Sequence, residues 1–484
     1  MKVPYVAGAA LALTIAASVS VWPRVQQRPS YIRLDCGGLF DAHKAVVEGD
    51  RSIFVRSGKI VDIQSWGESS SQVQGAGEMI DLRDRICLPG LIDTHVHFEQ
   101  SFPDINFFHH PDEARTVMDA YDAPRRTLLA GFTTVRDLKS LRNVAMEFRI
   151  AVANGRMLGP RILTVGSAVI SAPGGHGDSR SKIKESHRPG ARELYSQYYG
   201  LRFVSSPEDV VDAFRFYLEE RPLWYTEYPS SAKESYLPDA IKIHATGGVV
   251  SDNPDSHRRQ LNRAIIEKAV QSAREYRERT GRSLTVAAHA HGIDGIWDAV
   301  MAGVDSVEHI TELGGLIVET DDQKKWEEMR AQIAERMKEN KIYGIPTLLA
   351  AQTVVDLAED GKFPPHIAEK ALAVGKRMLA NFHHIVELGI PLAFGSDTGI
   401  SPHGENWKEL VLLVQHGKAA GLNEARALQM ATIEAARALR FDAEIGSLDV
   451  GKNADIIAVD KNILSDISAI QHLSLIMKDG RVIQ

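Results

Sequence analysis

The sequence predicts an α/β protein, a TIM-like (β/α)8 barrel with a small β-sandwich domain made from both ends of the chain. Three observations predict this fold class. Short apolar segments alternate with helical patterns through the middle of the chain, whereas both ends carry short strands and turns. The 484 residues also exceed one ordinary domain, and they suit a barrel of about 250–400 residues plus a smaller module.

The predicted barrel spans residues 88–442. Its eight strand-like segments are 88–97, 133–138, 161–165, 240–245, 284–290, 305–310, 342–348 and 391–397. Amphipathic stretches such as 262–280 and 321–340 lie between them, as βαβ units require. Eight such units favour a closed barrel over an open doubly wound sheet, because no glycine-rich phosphate loop follows the first strand.

The interval 167–239 is too long for one helix, so we predict an insertion over the barrel mouth, a candidate lid. It contains the polar run 179–192 and the aromatic run 224–228. Residues 30–87 and 443–484 form the predicted β-sandwich, since both contain short strands separated by glycine turns.

The first 22 residues are a separate segment. Lys2 is followed by twenty uncharged, mostly apolar residues, a pattern typical of a secretory signal peptide. A membrane anchor is the alternative, because twenty apolar residues can also span a bilayer. Both interpretations predict a secreted or periplasmic protein, membrane-anchored in the second case.

Composition excludes some partners and some metal ligands. The net charge of −7 is modest and there is no Lys/Arg run, so we expect no nucleic-acid partner. Cys36 and Cys87 form neither a metal-binding pattern nor a disulfide framework, and we interpret both as buried structural thiols. Any metal must therefore be held by histidine and carboxylate.

Polar residues fall at the C-terminal ends of the predicted strands, where barrel enzymes place their active sites. His95 and His97 end the first strand, and positions i and i+2 point to the same side. Two imidazoles there can reach one metal ion. A His-x-His pair alone is weak evidence, because surface and core histidines are common.

Lys242 lies inside the fourth predicted strand, where an ammonium is costly unless it is paired or chemically altered. A neutral lysine there can react with carbon dioxide, and the carbamate would be an oxygen ligand able to bridge two metals. The alternative is a lysine at the rim, or one paired with a carboxylate.

His289, His309 and Asp397 end the fifth, sixth and eighth predicted strands. Taken singly, each could be a satisfied core polar group, and Asp397 could cap a helix. Together with the histidine pair and Lys242 they form a set that random placement would scatter over loops and helices. Such nitrogen and carboxylate ligands suit zinc or a similar divalent metal.

These segments resemble the amidohydrolase superfamily over nearly the whole chain after the first 22 residues. The match runs from LPGLIDTHVH (88–97) to FGSD (394–397) and on to ADI (454–456). Within the superfamily the chain resembles the imidazolonepropionase-like branch, which includes Xaa-Pro dipeptidases and carboxypeptidase-like enzymes. The segments that carry this are TGGV (246–249), AHAHG (288–292), GVDSVEH (303–309) and PHGEN (402–406).

The resemblance implies a role for each candidate ligand. His95 and His97 would bind the more buried of two divalent metal ions, and His289 and His309 the more exposed one. Lys242, as a carbamate derived from carbon dioxide, would bridge both. Asp397 would bind the buried metal and shuttle protons as the catalytic residue. Relatives commonly form multimers, so the resemblance also implies a homo-oligomer.

The predicted reaction is cleavage of an amide bond by a metal-bridging hydroxide, which coordination makes available near neutral pH. The expected substrate is a small molecule with a free carboxylate, a dipeptide or an N-acyl amino acid. Its predicted contacts are at the barrel mouth, namely His176, Arg136, His291 and His403. Arg136 could instead pair with an acid. His291 occupies a position where peptidase relatives often have tyrosine, which limits what the resemblance implies about substrate preference.

Three other functions are compatible with parts of this pattern. A lactonase would use the same nucleophile on an ester. A deaminase acting on a cyclic C=N substrate would share the barrel, but such relatives usually hold one metal and place a glutamate near the chemistry, which Lys242 argues against. A barrel that has lost its metals would be a binding or scaffold protein, and the presence of all six candidate ligands argues against it.

Overall fold

The structure is a computed structural model that describes residues 31–75, 77–99, 113–140, 143–178, 201–220, 234–251, 255–316 and 323–484. The predicted signal peptide or anchor (1–22) and the runs 179–192 and 224–228 of the predicted insertion lie outside the described residues. Among the helices that are described, none is both long enough and apolar enough to cross a bilayer.

The strands are described first, because they position the site. They are β1 (Ile32–Asp41), β2 (Val46–Glu48), β3 (Arg51–Arg56), β4 (Lys59–Gln64), β5 (Glu78–Pro89), β6 (Leu91–Val96), β7 (Phe132–Asp137), β8 (Arg161–Thr164), β9 (Val169–Ser171), β10 (Arg202–Phe203), β11 (Ala240–His244), β12 (Thr285–Ala290), β13 (Ser306–His309), β14 (Tyr343–Ile345), β15 (Ile456–Asp460), β16 (Leu475–Lys478) and β17 (Arg481–Val482).

The α-helices alternate with the strands of the central region. They are α1 (Glu113–Ala120), α2 (Ala123–Leu129), α3 (Val144–Ala153), α4 (Pro207–Arg215), α5 (Arg263–Thr280), α6 (Ile293–Ala302), α7 (Thr311–Gly314), α8 (Gln323–Asn340), α9 (Leu348–Glu359), α10 (Pro365–Glu387), α11 (Lys408–Gly417), α12 (Glu424–Gln429) and α13 (Ala435–Ala438).

Both ends of the described chain meet in one eight-stranded sheet, in the order β17-β16-β15-β5-β1-β3-β4, with β2 on β1. Strand β5 joins the two ends, because it pairs in parallel with β1 and antiparallel with β15. Its apolar face packs residues such as Leu34, Ile53 and Ile456 into a separate small core. This single sheet does not by itself show the predicted β-sandwich.

The interpretation of Cys36 and Cys87 as free thiols is wrong, because the two residues form a disulfide. They lie on the paired strands β1 and β5, where Leu39 is opposite Cys87. Cys36 itself is opposite Leu82, and the register is irregular between Cys36 and Gly38. The Cα atoms of Cys36 and Cys87 are 5.9 Å apart, within the range that a disulfide bridges. The sequence spacing of the two cysteines does not reveal this pairing.

The central strands form two parallel sheets, β6-β7-β8 and β10-β9-β11-β12-β13-β14. The predicted first strand, 88–97, is divided at Gly90. Leu88 and Pro89 are the last residues of β5 and pair with β15, and β6 begins at Leu91. Strands β9 and β10 fall inside the predicted insertion and were not expected from the sequence.

The predicted eighth strand, 391–397, makes isolated parallel bridges instead of a regular strand. Leu392 bridges Gly344 in β14, and Thr398 bridges Val96 on β6. The backbone of Asp397 is left-handed, with φ at 56°, so a regular strand cannot continue through it. The segment therefore connects the edge of one parallel sheet with the edge of the other.

Helix α5 illustrates how local sequence sets these elements. The side chain of Asn262 accepts a hydrogen bond from the Ile265 backbone N–H at 3.1 Å and begins the helix. Gly281, with φ at 70°, ends it in the left-handed conformation. The apolar residues between them recur at helical spacing and are buried against the parallel sheets.

Candidate metal centre

Of the six predicted ligands, four lie at or near the carboxyl ends of the parallel strands, Lys242 lies in the middle of β11, and Asp397 lies in the segment that bridges the two sheets. His95 belongs to β6 and His97 follows it directly, while Lys242, His289 and His309 belong to β11, β12 and β13. Asp397 lies in the segment between the two sheets. All six side chains are buried. Strand ends of parallel sheets therefore bring residues that are distant in the chain into one place.

His95, His97 and Asp397 form the first cluster, with ligand atoms within 4.8 Å of one another. Oδ1 of Asp397 lies 3.4 Å from Nε2 of His95 and 3.2 Å from Nε2 of His97. Burial acts to raise the pKa of Asp397, but His95, His97 and Lys242 outweigh it, so this pKa lies below its ordinary value. Burial lowers the pKa of His95 to about 4. The cluster therefore contains an ionised carboxylate and a neutral His95 imidazole.

His289, His291 and His309 form the second cluster, again within 4.8 Å. Nε2 of His289 donates to the carbonyl of Gly247 at 2.9 Å, so its Nδ1 keeps a lone pair. Nδ1 of His309 contacts the Thr347 hydroxyl and Nδ1 of His291 contacts the Thr311 hydroxyl, each at 2.8 Å. These contacts leave the Nε2 atoms of His291 and His309 available to bind a metal ion. Burial lowers the pKa of all three imidazoles, to about 3 for His291.

Lys242 is close to both clusters. Burial lowers the pKa of its ammonium to about 8. After burial, the Lys242 charge is among the causes that lower the pKa of His95, His289 and His309. The rings of His95 and His309 are themselves only 5.2 Å apart between centroids, so the two clusters are neighbours.

The donor set fits a pair of divalent metal ions. Each cluster offers three imidazole or carboxylate donors, which are the ligand types that zinc-like metals prefer. The other ring nitrogens of these histidines are hydrogen-bonded to hydroxyl, carbonyl or carboxylate oxygens, as is usual for metal-bound histidine. These hydrogen bonds therefore hold the imidazoles in orientations that suit metal binding.

Glu308 orients His95, and the sequence analysis did not single it out. Its Oε2 accepts a hydrogen bond from Nδ1 of His95 at 2.8 Å. Its Oε1 accepts from Nη2 of Arg136 at 3.1 Å and from the Ser306 hydroxyl at 2.6 Å. Burial acts to raise the pKa of Glu308, but Arg136 and His95 outweigh it and hold this pKa at about 2. Glu308 is therefore a fixed carboxylate beneath the first cluster.

Two of the four predicted substrate contacts need correction, because their side chains do not line the cavity. Arg136 is buried beneath the first cluster, where it also donates to the carbonyl of Thr94 at 2.8 Å. His403 stacks on Phe98, and its Nε2 donates to the carbonyl of His97 at 3.2 Å. Both residues support the histidine ligands from behind, so neither is placed to contact a substrate.

Asp93 fixes the segment that carries Asp397. Its carboxylate accepts hydrogen bonds from the Ser396 backbone at 3.0 Å, the Ser396 hydroxyl at 2.5 Å and Nδ2 of Asn406 at 2.8 Å. It also accepts from the backbone of His95 at 3.1 Å. One buried carboxylate thus positions a histidine ligand and the neighbour of Asp397.

The other two predicted contacts, His176 and His291, do line the cavity. The His176 ring stacks on His289 with centroids 4.4 Å apart, and it also lies against Gly248, where any Cβ would come within 2.3 Å of it. Nδ1 of His244 donates to the His176 carbonyl at 2.8 Å and also lies 2.5 Å from the Ser171 hydroxyl oxygen. It therefore supports the His176 loop.

An open cavity lies over both clusters and contains about 790 Å³ of empty space, part of it open to solvent. Its polar side contains the clustered ligands, Lys139, His176 and His244. Its apolar side is formed mainly by α9 and α10, with Ala350, Ala351 and Met378 among the lining residues. A ligand of this cavity would meet imidazoles on one side and aliphatic groups on the other.

Two groups of metal-binding side chains below one cavity, on an α/β fold, are the site of a metal-dependent hydrolase that acts on carbon–nitrogen bonds. The chain belongs to the amidohydrolase family, whose family model matches residues 86–483.

Individual relatives agree with this membership. The crystal structure of a Xaa-Pro dipeptidase with bound methionine in its active site is 31% identical, with a TM-score of 0.76 over 94% of this chain and 100% of that chain. Ochratoxinase from Aspergillus niger is 27% identical over 405 residues, 80% of this chain and 72% of that protein. Imidazolonepropionase from Alkaliphilus oremlandii is 23% identical over 466 residues, 93% of this chain and 92% of that protein. The fold is accordingly TIM-barrel-like, and the chain falls in the imidazolonepropionase-like branch.

Proposed function

We propose that the chain is a binuclear metal-dependent hydrolase that cleaves the amide bond of a dipeptide or an N-acyl amino acid. The observation that carries the proposal is the pairing of two three-donor clusters, His95–His97–Asp397 and His289–His291–His309, below one cavity. Lys242 lies close to both and is buried. Relatives that include a Xaa-Pro dipeptidase and an ochratoxinase support an amide substrate.

His95, His97 and Asp397 would hold the more buried ion, and His289 and His309 the more exposed one. Lys242 would bridge the two ions as a carbamate. When bound, the two ions supply a hydroxide nucleophile near neutral pH and polarise the scissile carbonyl.

The neutral amine is the form of Lys242 that reacts with carbon dioxide, and burial lowers its pKa to about 8, which makes that form accessible. The carbamate would turn a buried cation into an anionic oxygen donor among neutral imidazoles. Zinc suits this donor set of nitrogen and oxygen atoms.

Asp397 is the residue that we assign to proton transfer. Its carboxylate is ionised, because His95, His97 and Lys242 hold its pKa below the ordinary value despite burial. It can therefore accept the proton released as water attacks the carbonyl and deliver it to the leaving amine. Its left-handed backbone, with φ at 56°, is fixed by the hydrogen bonds of the neighbouring Ser396 to Asp93.

His176 and His291 are the histidines that we assign to substrate binding. Both line the cavity beside the second cluster, and their rings lie 4.4 Å and 4.8 Å from that of His289. A neutral imidazole can donate one hydrogen bond to a substrate oxygen.

We further propose that the two parallel sheets and the bridging segment 391–398 close into the (β/α)8 barrel, with the terminal sheet as part of a β-sandwich. The bridges of this segment to Gly344 and Val96 support closure. The disulfide between Cys36 and Cys87 supports export to an oxidising compartment, since such bonds are rare in the cytosol.

The deciding experiment is hydrolysis of a panel of dipeptides and N-acyl amino acids by the purified protein, with and without chelator. We expect amine release that chelator abolishes and added zinc restores. Lactones and cyclic C=N compounds belong in the same panel, because hydrolysis of these alone would replace the proposal by a lactonase or a deaminase.

The carbamate bridge has its own test. Lys242→Ala should lose bound metal and turnover together, measured by elemental analysis and by the panel. Lys376→Ala is the matched control, because Lys376 is exposed and pairs only at the surface with Glu359. Full activity of Lys242→Ala with two metals retained would refute the bridge.

A further inference from the structure

The cavity needs a cation if its substrate carries a free carboxylate. A buried carboxylate is costly unless it is paired and hydrogen-bonded. The sequence predicted Arg136 for this role, but the structure places that guanidinium beneath the first cluster, against Glu308. A cationic side chain that pairs with the substrate carboxylate must therefore come from another residue that reaches the cavity.

Two lysines are among the described residues that line the cavity, Lys139 and Lys242. The proposed function uses Lys242 between the two clusters. Lys139 lies two residues beyond the end of β7, on the rim where the candidate ligands lie. It is thus a lining cation that the proposed metal centre does not use.

Lys139 faces the polar side of the cavity. Its charge is among the causes that lower the pKa of His176 and His244, after burial and other nearby charges. Lys139 and His176, a residue already assigned to the substrate, line the same cavity. Burial lowers the pKa of Lys139, and the carboxylate of Glu99 acts in the opposite direction by favouring the charged form.

We propose that Lys139 binds the free carboxylate of the substrate, beside His176, and so makes the enzyme select acids over their neutral analogues. This inference rests on the proposed function and names the group that the substrate must carry. The apolar side of the cavity, on α9 and α10, would then receive the aliphatic or aromatic part of the same substrate.

Lys139 supports the candidate metal centre through its backbone. Nδ1 of His97 donates to the backbone carbonyl of Lys139 at 3.3 Å, and a substitution retains that carbonyl. Lys139→Met keeps an unbranched side chain and removes the charge. Lys139→Arg keeps the charge, and Lys376→Met removes an exposed lysine as the matched control.

The test compares two substrates in each variant, the acid with the highest turnover in the panel and the same compound as its carboxamide. The measured quantity is the ratio of kcat/KM for the acid to that for the carboxamide. We expect Lys139→Met to lower this ratio by about 10- to 100-fold, through a higher KM for the acid. A hydrogen bond to a charged group contributes a binding free energy of that size. Lys139→Arg should restore most of it, and Lys376→Met should not change it.

A ratio that stays within threefold of wild type in Lys139→Met would overturn the inference and leave the proposed function intact. An equal preference for acid and carboxamide in the wild-type protein would overturn it as well. If the panel gives no chelator-sensitive turnover at all, the proposed function fails first. Metal analysis of each variant separates a loss of substrate binding from a loss of the metal centre.

Discussion

Glu308 and His95 are 213 residues apart in the chain, and the Glu308 carboxylate accepts a hydrogen bond from Nδ1 of His95 at 2.8 Å. Glu308 directly precedes His309, a member of the second cluster. Neighbouring strand residues normally point to opposite faces, but the backbone of His309 is left-handed, with φ at 73°, and the alternation ends there. One short segment of β13 therefore contributes a support to the first cluster and a ligand to the second.

Removing the charge of Glu308 should weaken metal binding. Glu308→Gln loses the carboxylate that fixes the His95 tautomer, and supports of this kind change metal affinity by about 10- to 100-fold. Titration of the apoprotein with zinc against a competing chelator measures the effect. Glu444→Gln is the control, because Glu444 forms an exposed ion pair with Lys59. An affinity within threefold of wild type would show that the contact does not tune the centre.

Enlarging a small residue on the apolar side of the cavity should select against large substrates. Ala351 lies one turn into α9 and lines the cavity, so Ala351→Leu would fill part of that side. We expect kcat/KM to fall about tenfold or more for a substrate with an aromatic side chain, since overpacking costs about 1–3 kcal/mol. The alanine analogue of the same substrate should change less than threefold.

The control for this prediction adds the same side chain to the same helix outside the cavity. Gln352 neighbours Ala351, and its amide bonds the exposed Asp356 instead of facing the site. Gln352→Leu should leave both substrates unaffected. A loss of equal size for the aromatic and the alanine substrate in Ala351→Leu would mean that this side of the cavity does not hold the variable group.

Glu409 should make stability depend on pH. Its carboxyl accepts the backbone N–H groups of Leu348 and Leu349 at 3.0 and 2.6 Å and caps α9. Burial raises its pKa to about 8, so the folded state binds the proton more tightly than the unfolded state does. This contribution to the free energy of unfolding is fully present below the unfolded pKa near 4.5 and is lost as pH rises through about 8.

Glu409→Gln does not titrate and therefore isolates this effect. The difference in free energy of unfolding between wild type and Glu409→Gln should become less favourable to wild type as pH rises from about 5 to about 8. Urea unfolding at several pH values measures it, with the exposed Glu405→Gln as control. A difference that grows with pH, or stays constant, would contradict the raised pKa.

The disulfide should contribute to stability through the unfolded chain. Cys36 and Cys87 close a loop with a sequence separation of 51, for which chain entropy gives about 4 kcal/mol. The double variant Cys36→Ala/Cys87→Ala should therefore unfold at lower urea concentration than the oxidised wild type. Reduced wild type should resemble the variant. A change below about 1 kcal/mol would argue that the bond adds little to the folded state.

The sequence predicted which candidate ligands come together better than it predicted the residues that support them. His95, His97 and Asp397 follow apolar strand patterns, and parallel strands bring such ends together, so pattern and topology suffice to group them. Glu308 lies within an equally apolar pattern, but its importance depends on reaching His95 across the molecule. Pattern analysis does not measure that distance.

The residues that were misassigned share one property. Arg136 lies near the end of the second predicted strand and His403 follows the eighth. Whether such a side chain faces the cavity or the layer beneath it is decided by partners elsewhere in the chain. Lys139 was overlooked for the same reason, since it is one position beyond an apolar strand and looks like any rim lysine. The pairing of Cys36 with Cys87 depends on the register of β1 and β5, which no local pattern encodes.

The pairing of β5 with β15 has a consequence for synthesis of the protein. Residues 78–89 leave the ribosome long before residues 456–460. The edge of β5 that pairs with β15 therefore stays unpaired until most of the chain has been translated. Until then its open edge can recruit a strand from another nascent chain. We expect a chaperone that shields exposed strand edges to raise the yield of this protein. The increase should be smaller for a variant that lacks the eight-stranded sheet containing β5 and β15.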